Sequence, residues 1–475
     1  MTDQPHAQAT DCTLIAQEYL RDEPGFLTSL GFGPFVQQGC GKGPAVLIGD
    51  QSEISLLGSD RVAKLDQRMA LLAKNGDTVL VRNRETGFET YLADCLGLTD
   101  VTFVQVDNDP ARAVAEQIRM SSQLLDALAH TARENGGLTL KAYLTTGNIW
   151  RLAQTIGEMS KTCIHVCGPS PRATLRANDK LWFTQLVQKT IGVDATPPTH
   201  SAYGPAAVAD LARTISRDAG QVIVKVPDSA GSAGNIKLDA ELLNGMSADD
   251  TRQFLLDRLH AKGWQDSYPI LVGVWDDNVS HSPSVQMWIP QKTDGPPQIK
   301  GIFEQRVQGD AGAFVGAARS VLPASVQDRL SAEAGRIARV LQHLGYFGLC
   351  SLDAVICETP ARPDMIHWIE CNGRWGGVSI PMLAATQRLP DLPAIAIVQE
   401  VLLGAVLTTE HLRRHLADLL FQVDQNEGGI VIISPCESAR DISVNLMAIA
   451  DTQDTSDEML AIAMRRLAAH HDGAG

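Results

Sequence analysis

The sequence predicts a mixed α/β protein: a doubly wound parallel sheet near the N-terminus, then an α+β portion built on antiparallel ribbons. Three observations carry this reading. Strand-like and helix-like runs alternate from residue 45 to residue 167, which is the pattern of βαβ units. Two apolar runs, Cys350 to Cys357 and Ile366 to Asn372, are joined by a Pro-containing connection from Glu358 to Asp364, the signature of a hairpin. A third run, Gln221 to Val226, passes through a small-residue loop into another strand rather than into a helix.

The chain divides into four segments. Residues 1–40 form a polar, then Gly-rich extension with one short helical stretch near Leu14 to Leu20. Residues 41–172 hold strand candidates at Ala45 to Gly49, Thr78 to Arg82, Val101 to Val106, Leu138 to Ala142 and Cys163 to Cys167. Between them, Pro110 to Asn135 has helix periodicity, with proline at its start as helices favour. Residues 173–410 contain a helix from Lys180, a hinge strand from Ile270 to Trp275, a helix from Val326 to Leu344 and the hairpin. Residues 411–475 add a helix, a strand at Gly429 to Ile433 and a closing helix from Ser456 to His470. There is no internal repeat or low-complexity linker, so the expectation is of domains packed together.

Composition sets the outer bounds. At 475 residues, with 44% hydrophobic and 20% charged, the chain can bury two or three ordinary cores. A net charge of −15 argues against a nucleic-acid or anionic-membrane partner, both of which favour basic surfaces. Any anion site must then be focused by particular Lys and Arg residues. Nine cysteines are scattered with no Cys-x-x-Cys pair, and several lie in apolar strands where reduced, buried thiols are expected. No signal-peptide pattern opens the sequence. The longest greasy stretch, Leu392 to Leu407, is too short to span a bilayer and is broken by Gln399 and Glu400. These features read as cytoplasmic.

The most informative stretch is Ile366 to Gly377, which contains Glu370, Asn372, Arg374 and a glycine pair. Strand residues two apart share a face. Glu370 and Asn372 therefore point one way, while Ile369 and Cys371 point into the other layer. Pairing the two runs of the hairpin brings Asp353 opposite Glu370. Three oxygen donors on one sheet face, beside an arginine, suit magnesium carrying a phosphorylated substrate.

Phosphate-binding parts lie upstream. Lys225 ends a β-branched strand and leads into the loop Ser229, Ala230, Gly231, Ser232, Ala233, Gly234. Backbone N–H groups and one ammonium can hold phosphate oxygens there. The strand-loop-strand order argues against a Walker loop, whose glycines precede a helix and whose lysine lies inside the motif. Lys180, in Asn178-Asp-Lys180, supplies a second ammonium.

Lys180, Lys225 with its loop, Asp353 and Glu370/Asn372 resemble the ordered elements of the ATP-grasp superfamily. The strings Asn-Asp-Lys, Ser-Pro-Ser-Val-Gln (282–286) and Glu-Cys-Asn-Gly-Arg-Trp-Gly-Gly look more like the peptide ligases related to pheganomycin biosynthesis, which carry a distinctive domain before the grasp. The resemblance spans roughly residues 41 to 470. It implies a pre-ATP-grasp α/β domain followed by an ATP-grasp fold, with nucleotide between two subdomains. It further implies ATP and Mg2+, with Mn2+ as a substitute. Asp353, Glu370 and Asn372 would hold the metal. Lys180, Lys225 and residues 229–234 would hold the phosphates, and the hinge residues Val274, Trp275 and Asp276 would face the nucleoside. Asp276 and Asp277, just past the hinge strand, read either as contacts to ribose hydroxyls or as an ordinary turn; many members place a glutamate near here, so the aspartate is a departure. Arg374 would steady the substrate carboxylate and its acyl phosphate, with Arg306 and Arg319 as second candidates.

Other patterns have plainer readings. Gly39-Cys-Gly-Lys-Gly43 mimics a dinucleotide fingerprint but precedes its strand, so it reads as a turn. His411 and His415 have helical spacing but no third ligand, which suits a solvated face. Cys163, His165 and Cys167 share one strand face without metal spacing and read as packing.

The layout suits activation of a carboxylate by ATP, followed by amine attack on the acyl phosphate to give an amide. The expected partners are an amino acid or derivative and the amine of a peptide or amino acid, in secondary metabolism; the N-terminal domain is expected either to position the amine partner or to mediate a homodimer. A grasp-type kinase or phosphotransferase and a non-catalytic nucleotide-binding module are the alternatives.

Overall fold

A computed structural model describes residues 4–26, 31–56, 65–107, 109, 111–229, 233–309, 312–359, 362–403, 407–425, 427–436 and 441–472. Its first sheet contains β1 (Val36–Gln38), β2 (Ala45–Ile48), β3 (Thr78–Val81), β4 (Thr102–Gln105), β5 (Gly137–Ala142) and β6 (Cys163–Val166). The order is β1-β6-β5-β2-β3-β4, and every pairing is parallel. Val46, Leu47, Ile48, Leu138 and Leu140 are all buried, as strands covered by helices on both faces require. The alternation read from the sequence thus corresponds to this doubly wound sheet. Its edge strand β1 comes from the segment read as an extension.

Helix periodicity over 110–135 resolves into two helices, Val114–Met120 and Ser122–Glu134. Ser121 divides them: it is extended, and its hydroxyl accepts from Leu124 N–H at 3.4 Å to cap the second helix. Pro110 lies outside the described residues.

A small antiparallel sheet follows, with β7 (Thr199–Ala202), β8 (Gln221–Lys225), β9 (Asn235–Asp239) and β10 (Ile270–Val274) in the order β7-β10-β8-β9. The large sheet contains β11 (Val279–His281), β12 (Pro283–Ile289), β13 (Gln298–Gln308), β14 (Ala313–Arg319), β15 (Gly348–Thr359), β16 (Arg362–Asn372), β17 (Ala394–Leu403), β18 (Gly429–Ile432) and β19 (Asp441–Ala450). β17 pairs with both β14 and β19, so the strands of the last segment, β18 and β19, belong to this same sheet. The greasy stretch near Leu392 is strand β17. Among the described residues, no helix is long and apolar enough to cross a membrane.

Strand alternation divides the large sheet into a polar and an apolar face. Ser284 lies opposite Asp353 and Asp353 opposite Glu370, forming one row across three strands. Gln286, Ser351 and Asn372 form the next row. On the reverse face Val285, Leu352 and Cys371 are buried in the core that contains Leu330, Ile337 and Leu341 of helix Ala324–His343. Helix Gln4–Asp22 joins that core through Cys12, Ile15, Ala16 and Tyr19.

A different core joins the parallel domain to the last strands of the large sheet. Met69, Leu71 and Leu72, in a short 3-10 helix after β2, pack in one cluster with Ile395, Ile397, Val431 and Leu446. The parallel domain is thereby fixed against the large sheet. This burial sets the walls of the cavity described next.

Candidate active site

The hairpin of β15 and β16 places Asp353 directly across from Glu370. It does so through a β-bulge: Asp353 pairs with Glu370, but Ala354 pairs with Trp368, leaving Ile369 as the extra residue. The sequence reading put Ile369 and Cys371 together in the inner layer. Cys371 is buried there, whereas Ile369 is only half-buried. An inserted residue shifts the alternation by one, so the polar side chains can meet while Trp368 stays in the core.

Asp353 accepts hydrogen bonds from Ser284 Oγ at 2.5 Å and from Asn372 Nδ2 at 2.9 Å, and Gln286 Nε2 supports Ser284 at 2.8 Å. Burial and the neighbouring Glu370 charge nevertheless push Asp353 up to about 7, against the Ser284, Gln305 and Arg374 side chains. Burial also raises Glu370, but the Lys180, Arg374 and Lys225 charges outweigh it and hold Glu370 below its usual range. Two half-buried carboxylates and an amide oxygen form an oxygen-rich set whose mutual repulsion a hard divalent cation would relieve. These residues therefore fit magnesium.

Lys180 Nζ lies 3.1 Å from Glu370 Oε2 and donates to the Ser229 carbonyl. It opens helix Lys180–Thr190, where Asp179 Oδ1 accepts from Leu181 N–H at 2.9 Å and Trp182 N–H at 3.2 Å. A lysine at a helix N-terminus opposes the helix dipole, and Glu370 compensates it. Replacing Asp179 with Ala is expected to cost about 1 kcal/mol through loss of the cap. Urea denaturation measures this, and an unchanged midpoint would show that the cap does not hold the helix.

Lys225 ends β8, with Lys180, Glu370 and Asp276 near enough to act on its charge. Burial and the Lys180 ammonium bring it down to about 8, while Glu370 and Asp276 pull the other way. Ser229 is buried with its hydroxyl on the Val226 carbonyl at 2.8 Å, and Gly234 accepts from Val226 N–H at 3.0 Å. A Cβ on Gly234 would come within 2.3 Å of Ser229 Oγ, so glycine is required there. Ala233 follows in the turn, whereas Ala230, Gly231 and Ser232 lie outside the described residues.

Arg374 donates through Nη2 to Asn372 Oδ1 at 2.6 Å and through Nη1 to Asn178 Oδ1. Asn178 in turn accepts from Gly373 N–H at 3.1 Å. A cavity of about 200 Å³ opens beside this group, lined by Asp353, Glu370, Asn372 and Arg374 together with Gln51, Arg68 and Tyr143 of the N-terminal portion. Those last three have no motif around them. They arrive from segments following β2 and β5, at the carboxyl end of the parallel sheet, where such folds place ligand contacts. Arg68 is fixed by Gln399 Oε1 at 2.9 Å and Asn445 Oδ1 at 2.6 Å.

Two expected arginines are not brought into the cavity. Arg306 is paired with Asp457 at 2.6 Å on the exposed side. Its strand neighbour Gln305 lines the cavity, and alternation turns Arg306 to the opposite face. Arg319 lies over the Phe303 ring, 5.6 Å from its centroid, outside the cavity lining. At the hinge, Val274 N–H donates to the Pro198 carbonyl at 2.9 Å and Trp275 N–H to the Gln221 carbonyl at 3.1 Å. Trp275 packs beneath Lys237, and Asp276 pairs with His367 Nδ1 at 3.0 Å.

Residues 66–158 match the family model described as Pre ATP-grasp domain. N5-carboxyaminoimidazole ribonucleotide synthetase from Thermus thermophilus superposes with a TM-score of 0.52 at 14% identity, covering 89% of this chain and 98% of that one. N5-carboxyaminoimidazole synthase from Aspergillus clavatus, in complex with ADP and 5-aminoimidazole ribonucleotide, gives 0.51 at 13%, covering 89% and 98%. The biotin carboxylase domain dimer of Hydrogenobacter thermophilus 2-oxoglutarate carboxylase, with MgADP and bicarbonate, gives 0.52 at 13%, covering 89% of each chain. No curated protein matches the sequence. The chain has a pre-ATP-grasp domain followed by an ATP-grasp fold.

Proposed function

We propose that the chain is an ATP-dependent carboxylate–amine ligase that forms a peptide bond through an acyl phosphate, releasing ADP and phosphate. The observation that carries this reading is the convergence of Asp353 and Glu370 with Lys180, Lys225 and Arg374 beside one cavity. A carboxylate resists amine attack because it is anionic and its leaving group would be oxide. Transfer of the terminal phosphoryl group of ATP to it creates a good leaving group, and the amine then displaces phosphate.

The protein supplies alignment and charge neutralisation rather than a covalent nucleophile. Lys180 and Lys225 offset the nucleotide phosphates, beside Ser229 and Gly234. Arg374, with its planar fork, holds the substrate carboxylate and the acyl phosphate. Gln51, Tyr143, Gln286 and Gln305 give the cavity hydrogen-bonding walls suited to an amino acid or derivative. Magnesium, held by Asp353, Glu370 and Asn372, would offset charge on the phosphates during transfer. An amino-acid or peptide amine is the second substrate, and a secondary-metabolite product follows from the resemblance of the three motif strings.

The test is phosphate release from ATP with candidate acids and amines, each alone and together. Release that needs both supports ligation, and full-rate release with either alone sinks it. Transfer of a labelled carboxylate oxygen into phosphate separates the acyl-phosphate route from a kinase.

Lys225 makes the nucleotide step pH-dependent. Because its folded-state value is depressed to about 8, the ammonium is present below that pH and lost above it. Nucleotide affinity measured by calorimetry is expected to weaken as pH rises through about 8. Lys225→Met should bind weakly and with a flat profile. A wild-type profile in that variant would remove Lys225 from the phosphate site.

A further inference from the structure

The Gly39–Gly43 turn takes no part in the ligase reading, yet it holds Cys40 against Cys167 with the two sulfurs 2.9 Å apart. Both flanks of Cys40 are pinned. Gly39 N–H donates to the Val166 carbonyl at 3.0 Å, next to Cys167, and Gly41 N–H donates to Thr139 Oγ1 at 2.9 Å. Gly41 packs so closely on His165 that a Cβ would come within 2.5 Å of the ring. The loop therefore holds the backbone of Cys40 beside the chain that carries Cys167.

The two thiols differ in the way a reactive pair should. Of the nine cysteines, Cys40 is the exposed one, while Cys167 is buried at the end of β6. The hydrogen bond from Cys167 brings Cys40 down to about 7; burial opposes the shift, and the Lys141 ammonium assists it. An accessible thiolate is what reacts with oxidants.

We propose that Cys40 and Cys167 form an oxidation-sensitive pair that closes to an intramolecular disulfide when the protein meets a peroxide. The Cys40 thiolate attacks one peroxide oxygen, breaking the O–O bond. This gives a sulfenic acid and, after protonation of the leaving oxygen, water or an alcohol. The Cys167 sulfur then attacks the Cys40 sulfur. The S–O bond breaks, the Cys167 proton goes to the departing hydroxide as water, and the disulfide forms. Two electrons pass from the thiols to the peroxide.

The crosslink would tie the Cys40 turn to the chain that continues through Gly168 and helix Pro171–Ala177 to Asn178, the partner of Arg374. Gln38 already bridges this region, donating to the Gly168 carbonyl at 3.1 Å and to the Gly345 carbonyl at 3.4 Å.

The full chain is treated with hydrogen peroxide, alkylated under denaturing conditions and mapped by mass spectrometry. Alkylatable thiols should fall by two from nine, with one linked peptide joining Cys40 to Cys167, restored by dithiothreitol. Cys40→Ser, on the exposed side, should abolish the link and keep the native circular dichroism. Cys167→Ser should stop at a Cys40 sulfenic acid that dimedone traps. A link between another pair, or conversion of Cys40 to sulfinic acid with Cys167 still free, overturns the proposal.

Discussion

Glu370→Gln is expected to lower acid- and amine-dependent phosphate release by roughly 10²–10³-fold, the usual order of loss when one preorganised electrostatic element of a reacting centre is removed. The substitution keeps the shape of the side chain and removes only its charge. That charge does three things in this fold. It pairs with Lys180 at 3.1 Å, it opposes the downward shift of Lys225, and with Asp353 it forms the anionic pair that suits magnesium. In the variant Lys180 loses its anionic partner, and Asp353 loses the charge that pushes it up. The apparent magnesium requirement should therefore rise together with the loss of rate. Steady-state assays across a magnesium series measure both. Wild-type rates at low magnesium would remove Glu370 from the site.

Arg374→Ala carries the second large effect, a fall of roughly 10²–10³-fold in kcat/KM for the acid substrate. Arg374 is held by two amide oxygens, Asn372 Oδ1 and Asn178 Oδ1, which aim its fork along the cavity wall. The planar guanidinium can grip a carboxylate or an acyl phosphate with two parallel bonds. A lysine has one ammonium and cannot satisfy both amides while also gripping the substrate, so Arg374→Lys should rescue little. Nucleotide affinity, measured separately by calorimetry, should change far less than KM for the acid. If nucleotide affinity collapses while that KM is unchanged, Arg374 serves the phosphates and the acid is held elsewhere.

Arg306 and Arg319 are instructive beside Arg374. All three are arginines on or next to strands of the large sheet; Arg374 stands in the Glu370–Gly377 string, whereas the residues around Arg306 and Arg319 do not say which way either side chain points. Arg306 ends opposite the cavity because Gln305 takes the inward position. Arg319 ends over Phe303 because those two residues are directly paired across β13 and β14. Side-chain direction in a strand follows from register, and register follows from which strands meet.

The amino-acid order alone was enough for features whose cause is local. Period-two alternation and a short connection specify the hairpin, and with it the facing of Asp353 and Glu370. The strand–loop–strand order around Lys225 and the helix starting at Lys180 follow from equally near neighbours, as does the alternation behind the parallel sheet. Features that depend on distant partners became visible only in three dimensions. The bulge at Ile369 is one, since it reconciles a buried Trp368 with an inward Glu370. The joining of β17 to β19 is another, and it makes the last segment part of the large sheet. Gln51, Arg68 and Tyr143 are the clearest case. They meet Arg374 because the carboxyl ends of parallel strands open on one side of the sheet, and packing of Met69 and Leu72 against β17 to β19 turns that side toward the hairpin. Such contacts span hundreds of residues, and no short pattern encodes them.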